Sequence, residues 1–282
     1  MDPLSRGTLT HPSRSLAYHE WGAGLPLLLL HGLGDHGLVW QSLAEALSDR
    51  YHGLAPDLRG HGDSDKPDDP AAYDSLNLVK DLESLAARWE ATPITVVAHS
   101  WAAKLALLWA QHTPQPIRQL ILVDPFFVNR LPGLFRPTLP LLYRTLPFLK
   151  VMGPFENYDA AVRVARTLKQ YRGWSPLQQA VFSAAMEQKS DGTWGSKFAI
   201  AARNGVFEDI LQRPGLTTEL PVPTLLLLPV KGLNRFAWQL KPYRTYLPNL
   251  QIQSIPGNHW PHLVAPEAFN GILRSYLESS AP

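Results

Sequence analysis

Val96-Val97-Ala98-His99-Ser100-Trp101-Ala102-Ala103 is the stretch on which the reading of this chain turns. Pro93 opens the apolar run Ile94 to Ala98, which has the length and composition of a strand buried on both faces. Trp101 to His112 continues as an apolar helix. Ser100 stands where one becomes the other. A sharp turn there lifts its hydroxyl above the sheet edge, and the N–H groups that follow, at a helix N-terminus, face any negative charge that develops beside it. The strand and helix backbones nearly touch at such a turn, so the residues two before and two after the serine must be small. Here they are Ala98 and Ala102. A serine that merely caps a helix is the plainer alternative, so the neighbouring segments carry the decision.

Two loops supply that context. Leu30-His31-Gly32-Leu33-Gly34 follows the first strong apolar run, Leu25 to Leu30, and Gly32 allows close backbone approach. A His-Gly pair alone also suits an ordinary turn. Pro256-Gly257-Asn258-His259-Trp260-Pro261-His262 follows the last apolar run, and a histidine on that loop can take the serine proton. His259 is the candidate base. His262 is its rival, closer to the final helix, where a structural hydrogen bond is the expected role.

The remaining pattern alternates strands with helices, as in a parallel sheet covered on both faces. Strands are expected at Ser15 to Trp21, Leu25 to Leu30, His52 to Ala55, Ile94 to Ala98, Ile117 to Val123, Thr224 to Leu228 and Gln251 to Ile255. Helical spacing links Trp40, Leu43, Ala44 and Leu47, then Leu78, Leu82, Leu85, Ala86 and Trp89. A helix near Arg235 to Leu247 and a final one from Pro266, burying Phe269, Ile272, Leu273 and Tyr276, complete the set. Between Pro125 and Leu220 the sheet pattern stops, and only helical segments such as Ala160 to Tyr171 and Pro176 to Gln188 stand out.

These segments, with Asp57-Leu58-Arg59-Gly60-His61-Gly62-Asp63-Ser64 between them, resemble the α/β-hydrolase superfamily, in particular its small lidded esterase-like members. The family's G-x-S-x-G reads here as Ala98-His99-Ser100-Trp101-Ala102. The resemblance implies a mostly parallel eight-stranded sheet flanked by helices, with a helical lid inserted after the sixth strand. The core would then be 1–124 and 221–282, with the lid at 125–220. It implies Ser100 as nucleophile, His259 as base, and an oxyanion hole made by the backbone N–H groups of Leu33 and Trp101. The Asp57 to Ser64 stretch would be a structural loop. Trp101 also invites comparison with dehalogenases, but those enzymes need an aspartate nucleophile, so a pocket wall is its expected role.

The acid departs from the family. It usually follows the penultimate strand, where this chain reads Pro223-Thr224-Leu225-Leu226-Leu227-Leu228-Pro229-Val230-Lys231-Gly232-Leu233-Asn234. Gly232 stands where an aspartate is expected, and no carboxylate occurs between Glu219 and Glu267. Asp124, at the end of the Ile117 to Val123 strand, is the candidate substitute. A cap at the entrance of the lid, Asn234 as a neutral orienter, and a dyad without an acid are the alternatives.

Composition narrows the classes. The 282 residues suit one large domain or a core with an insertion, and a formal charge of +2 gives no electrostatic case for nucleic acid. With no cysteine, disulfides, thiolate metal sites and a cysteine nucleophile are excluded. No cofactor or metal is implied. The first residues lack the apolar core of a secretory signal, and no run is long enough for a membrane span, so a cytoplasmic protein is expected. Residues 130–172 hold eight Lys and Arg against Glu156 and Asp159, interleaved through Leu131 to Met152 with leucine, phenylalanine and proline. A lid with one apolar and one solvated basic face accounts for that. Contact with a lipid surface or an anionic amphiphile is the sharper reading. The expected function is hydrolysis of an ester or related acyl bond of a small apolar substrate. A lyase or C–C hydrolase on the same scaffold, or a degenerate binding protein lacking the acid, are the competitors.

Overall fold

Alternate residues of the apolar runs face opposite sides of one sheet and divide the core in two. Leu28, Leu30, Val96, Ala98, Leu120 and Leu122 join one buried cluster. Their neighbours Leu27, Leu29, Val97, Ile121 and Val123 join the other. Strands buried on both faces need helices on both sides, and the chain supplies them. The structure is a computed structural model that describes residues 5–11, 14–113 and 116–279.

The strands are β1 (Ser5–His11), β2 (Arg14–Trp21), β3 (Leu25–Leu30), β4 (Tyr51–Pro56), β5 (Ile94–His99), β6 (Ile117–Val123), β7 (Met186–Gln188), β8 (Trp194–Ser196), β9 (Thr224–Lys231) and β10 (Leu250–Asn258). Eight of them form one sheet in the order β1-β2-β4-β3-β5-β6-β9-β10. The pairs β1–β2 and β2–β4 are antiparallel and the rest are parallel. Sequence periodicity finds seven of these eight strands. The eighth, β1, is the polar SRGTLTH, which becomes a strand by pairing with β2 and not by burying a face.

The helices are α1 (Gln41–Leu47), α2 (Ser75–Ala86), α3 (Ala102–His112), α4 (Leu139–Thr145), α5 (Tyr158–Ala165), α6 (Pro176–Ala185), α7 (Ile200–Gln212), α8 (Ala237–Tyr246), α9 (Pro261–Val264) and α10 (Pro266–Ser279). Leu82, Leu105 and Tyr243 place α2, α3 and α8 over one face. Leu43 and Leu273 place α1 and α10 over the other. In α10, Phe269, Leu273 and Tyr276 are buried as expected, with Ile272 partly so. Among the described residues no helix is long and apolar enough to cross a membrane.

Between β6 and β9 the chain leaves the sheet to form α4 to α7. This stretch is not the wholly helical one that the sequence suggests. Met186-Glu187-Gln188 prolongs the helical pattern of α6, yet it turns into β7 and pairs with β8. The insertion also lacks a separate core. Val206 and Ile210 of α7 bury themselves in one cluster of the sheet, Ala161 and Phe182 in the other. A buried ion pair fastens α7 to the core: Lys104 Nζ of α3 lies 2.5 Å from Asp209 Oδ2. Asp209 Oδ1 accepts from the Ser75 hydroxyl and N–H at 2.8 and 3.1 Å.

Candidate active site

Parallel pairing brings the ends of β3, β5, β6 and β9 together at one edge of the sheet. Leu30 is in register with Ala98, His99 with Val123, and Val123 with Leu227. The loops that follow these positions hold the candidate residues, at the carboxyl ends of the strands where α/β sheets place their sites.

Ser100 occupies the turn from β5 to α3 at φ 56°, a left-handed conformation that costs a non-glycine residue on the order of 1 kcal/mol. The surroundings hold it there. Its N–H donates to Val123 O at 3.0 Å, and Ala103 N–H closes the helix onto Ser100 O at 3.2 Å. Ala98 and Ala102 are fully buried where the two backbones converge.

His259 hangs from the loop after β10, past Gly257 at φ 108°. Its Nε2 is 2.9 Å from Ser100 Oγ, and its Nδ1 is 2.7 Å from Asp124 Oδ2. An ionised carboxylate only accepts, so Nδ1–H donates to Asp124 and Nε2 is left to accept from the serine hydroxyl. Asp124 follows β6 and is completely buried. Its carboxylate also accepts from Leu233 N–H at 2.8 Å and from Asn234 Nδ2–H at 3.0 Å, and these donors offset the cost of burying the charge. Asn234, considered above as an orienter of the histidine, holds Asp124 instead.

Gly232 lies against the same carboxylate. A Cβ built on it would sit 2.6 Å from Asp124 Oδ2, and its φ is not left-handed. The carboxyl reaching in from β6 therefore fills the space that a side chain at 232 would need.

The two loops beside Ser100 are pinned by buried groups. His31 Nδ1–H donates to Gly32 O at 2.8 Å, and its Nε2 accepts from Leu58 N–H at 2.9 Å. Burial lowers the His31 pKa to about 4. A side chain at Gly32 would come within 2.7 Å of His99 Nδ1, so glycine is required at that close approach. The backbone N–H groups of Leu33 and Trp101 have no hydrogen-bond partner among the described residues, and both residues line the cavity with Ser100. In the Asp57 to Ser64 stretch, Asp57 accepts from Gly37 N–H and Asp63 N–H at 2.8 Å, and the Ser64 hydroxyl donates to Asp57 O. These bonds lock the loop and engage both carboxylate oxygens of Asp57.

His262 behaves otherwise than expected. Neither ring nitrogen has a partner among the described residues, so it makes no structural hydrogen bond. The ring stacks on Trp40 at 4.6 Å, and burial drives its pKa to about 3.

Two functional-looking groups escape the sequence reading. Asp35 lines the cavity, accepts from Trp260 Nε1–H at 3.1 Å, and is pushed up to about 7 by burial. His99 donates from Nε2 to His259 O at 2.6 Å, while its Nδ1 faces Asp35 Oδ2 at 3.8 Å. A charged residue four positions after His31 is the available signal for Asp35. The cavity measures about 410 Å³, and Phe126, Leu146, Phe148, Phe207 and Ile210 give it apolar walls.

An sn-1-specific diacylglycerol lipase of Mus musculus is 26% identical over 90% of this chain and 82% of its own length. Epoxide hydrolase 3 of Siraitia grosvenorii is 30% identical, but over 48% of this chain and 43% of its own. The crystal structure of E-2-(acetamidomethylene)succinate hydrolase superposes with a TM-score of 0.78 at 21% identity, covering 98% of this chain and 100% of that one. The family profile for the alpha/beta hydrolase fold matches residues 26–266, from β3 to the start of α10. With that match laid over this sheet and these loops, the chain belongs to the alpha/beta hydrolase fold family.

Proposed function

We propose that the chain is a serine hydrolase that cleaves an ester or related acyl bond, with Ser100 as nucleophile, His259 as base and Asp124 as the acid of the triad. One observation carries this reading: the unbroken Ser100–His259–Asp124 hydrogen-bond chain opens into an apolar cavity. Ser100 Oγ attacks the acyl carbon and its proton passes to His259 Nε2. Asp124 stabilises the imidazolium. The carbonyl oxygen, now negative, meets the unclaimed N–H groups of Leu33 and Trp101, and each such donor is worth roughly 3 kcal/mol to the transition state. His259 returns the proton to the leaving alcohol. A water then repeats the sequence on the acyl-enzyme, giving the acid and free Ser100.

Residues 125–220 act in this reading as a lid, with Leu146, Pro147 and Phe148 after α4 and Val206, Phe207 and Ile210 of α7 walling the cavity. The degenerate binding protein rests on the displaced acid and on Ala98 and Ala102 in place of glycine; Asp124 bonded to His259 weighs against the first of these. The lipase named among the relatives favours an ester substrate.

A fluorophosphonate probe tests the reading. Ser100 should label, and Ser100→Ala should abolish both labelling and p-nitrophenyl ester hydrolysis while the fold persists. His259→Ala should lose nearly as much, with the double variant little worse, and His262→Ala should be mild. A wild-type protein that neither labels nor hydrolyses any ester would overturn it. Styrene oxide in the same assay separates ester cleavage from epoxide opening.

A further inference from the structure

We propose that the mouth of the Ser100 cavity is an anion-binding subsite built from Lys169, Lys231 and Arg235. Resting on the hydrolase reading above, the substrate then carries a carboxylate or phosphate remote from the bond that is cleaved. The three cations come from separate places: the segment between α5 and α6, the end of β9, and the loop before α8. All three line the cavity that holds Ser100.

Their backbones are tied together beside the base. Lys231 pairs in register with Asn258, which precedes His259. Asn258 Nδ2–H donates to Lys169 O at 2.9 Å, and Arg235 Nε–H donates to Gly232 O at 3.0 Å. Among the described residues none of the three side chains has an ion-pair partner. Arg235 uses only Nε, so both Nη groups are left to grip an anion in bidentate fashion.

The imbalance also holds in the segment that supplies two of the three cations. Along the sequence, residues 220–266 hold Lys231, Arg235, Lys241 and Arg244 with no carboxylate. Asp35 is the carboxyl among the lining residues, and it is buried against Trp260. Its burial keeps it partly protonated near neutral pH. A solvated surface ordinarily mixes both signs. A single-sign rim over apolar walls focuses the field and concentrates anions at the opening. The chain of an amphiphile fits the walls and its charged head fits the rim.

Matched ester pairs test this. One pair is p-nitrophenyl octanoate against the p-nitrophenyl monoester of suberic acid. The other is the octanoyl ester of 4-hydroxybenzamide against that of 4-hydroxybenzoate. In at least one pair the anionic member should win in kcat/KM by on the order of tenfold at low salt. Lys231→Glu/Arg235→Glu should invert that ratio, and the remote, exposed Lys80→Glu should leave it unchanged. A neutral member that equals or beats its anionic partner in both pairs overturns the proposal, as does a ratio that survives the double charge reversal.

Calorimetry on Ser100→Ala, which needs no turnover, should show octyl phosphate binding more tightly than octanol. Anion binding without fluorophosphonate labelling of the wild type would sink the hydrolase reading and leave the subsite. Labelling without anion preference would do the reverse. Pelleting with phosphatidylglycerol but not phosphatidylcholine vesicles, without preference for either soluble anionic ester, would assign the cations to a lipid surface and overturn the substrate proposal.

Discussion

Asp124 is the acid of the proposed triad, and its geometry makes that role testable. An asparagine there keeps the shape but can hold His259 in the wrong tautomer. In a protease triad the same exchange costs on the order of 10⁴ in kcat, so Asp124→Asn should lose at least about a hundredfold. Glu219→Gln should lose little. A folded Asp124→Asn protein with more than about half the activity would leave Ser100 and His259 as a dyad. Moving the acid to 232 requires clearing the space first, because a Cβ at 232 meets the carboxyl of residue 124. Asp124→Gly/Gly232→Asp should therefore outperform Asp124→Asn/Gly232→Asp in kcat. Asp35 offers a second test, through pH. Its carboxyl is raised from 3.8 to about 7, so between those values the unfolded chain releases a proton that the folded one keeps. That contribution to stability is lost as pH rises from about 4 to about 7. Asp35→Asn still accepts from Trp260 but does not ionise. Its melting temperature should match wild type near pH 4 and exceed it by a few degrees at pH 8. A difference that does not change with pH would mean the ionised carboxylate is not penalised.

Among the elements, α7 is fastened to the core by a buried ion pair. Lys104 and Asp209 are both buried, and removing Asp209 leaves the Lys104 charge unpaired, at a cost of roughly 3–5 kcal/mol. Asp209→Ala should lower the melting temperature by about 10 °C. Lys104→Met/Asp209→Asn removes both charges and keeps an acceptor for Ser75, so it should melt well above Asp209→Ala. Equal melting temperatures would show that the ion pair is not what holds α7. How far the elements are legible in the sequence follows from how local their causes are. Leu25–Leu30 and the Leu120 to Val123 end of β6 declare themselves because a run buried on both faces is apolar. Ser5–His11 does not, since its cause is the partner strand. Met186 to Gln188 looks helical because the pleat there answers to β8, further along the chain. Asp124 is legible as an acid at a strand end, whereas Asp35 acquires its environment from Trp260, 225 residues away.

At the scale of the whole molecule, the sheet edge, the loops and the insertion together enclose about 410 Å³ with apolar walls. Each methylene buried there is worth about 0.8 kcal/mol, so longer acyl chains should gain transition-state binding until the space is filled. Octanoyl esters should exceed acetyl esters by at least about tenfold in kcat/KM. A p-nitrophenyl ester series read under identical conditions measures this, and an acetyl ester that matched octanoyl would mean the apolar walls do not receive the acyl chain.

The contact between Gly232 and Asp124 also bears on ancestry. With both carboxylates present the two side chains collide, and with neither the base loses its orienting group. A lineage moving the acid from one strand end to the other thus crosses a valley of reciprocal sign epistasis, in which each single change is harmful until the second arrives. Homologues should accordingly fall into two exclusive genotypes at these positions, a carboxylate after β6 with glycine after β9, or a carboxylate after β9 with a smaller residue after β6.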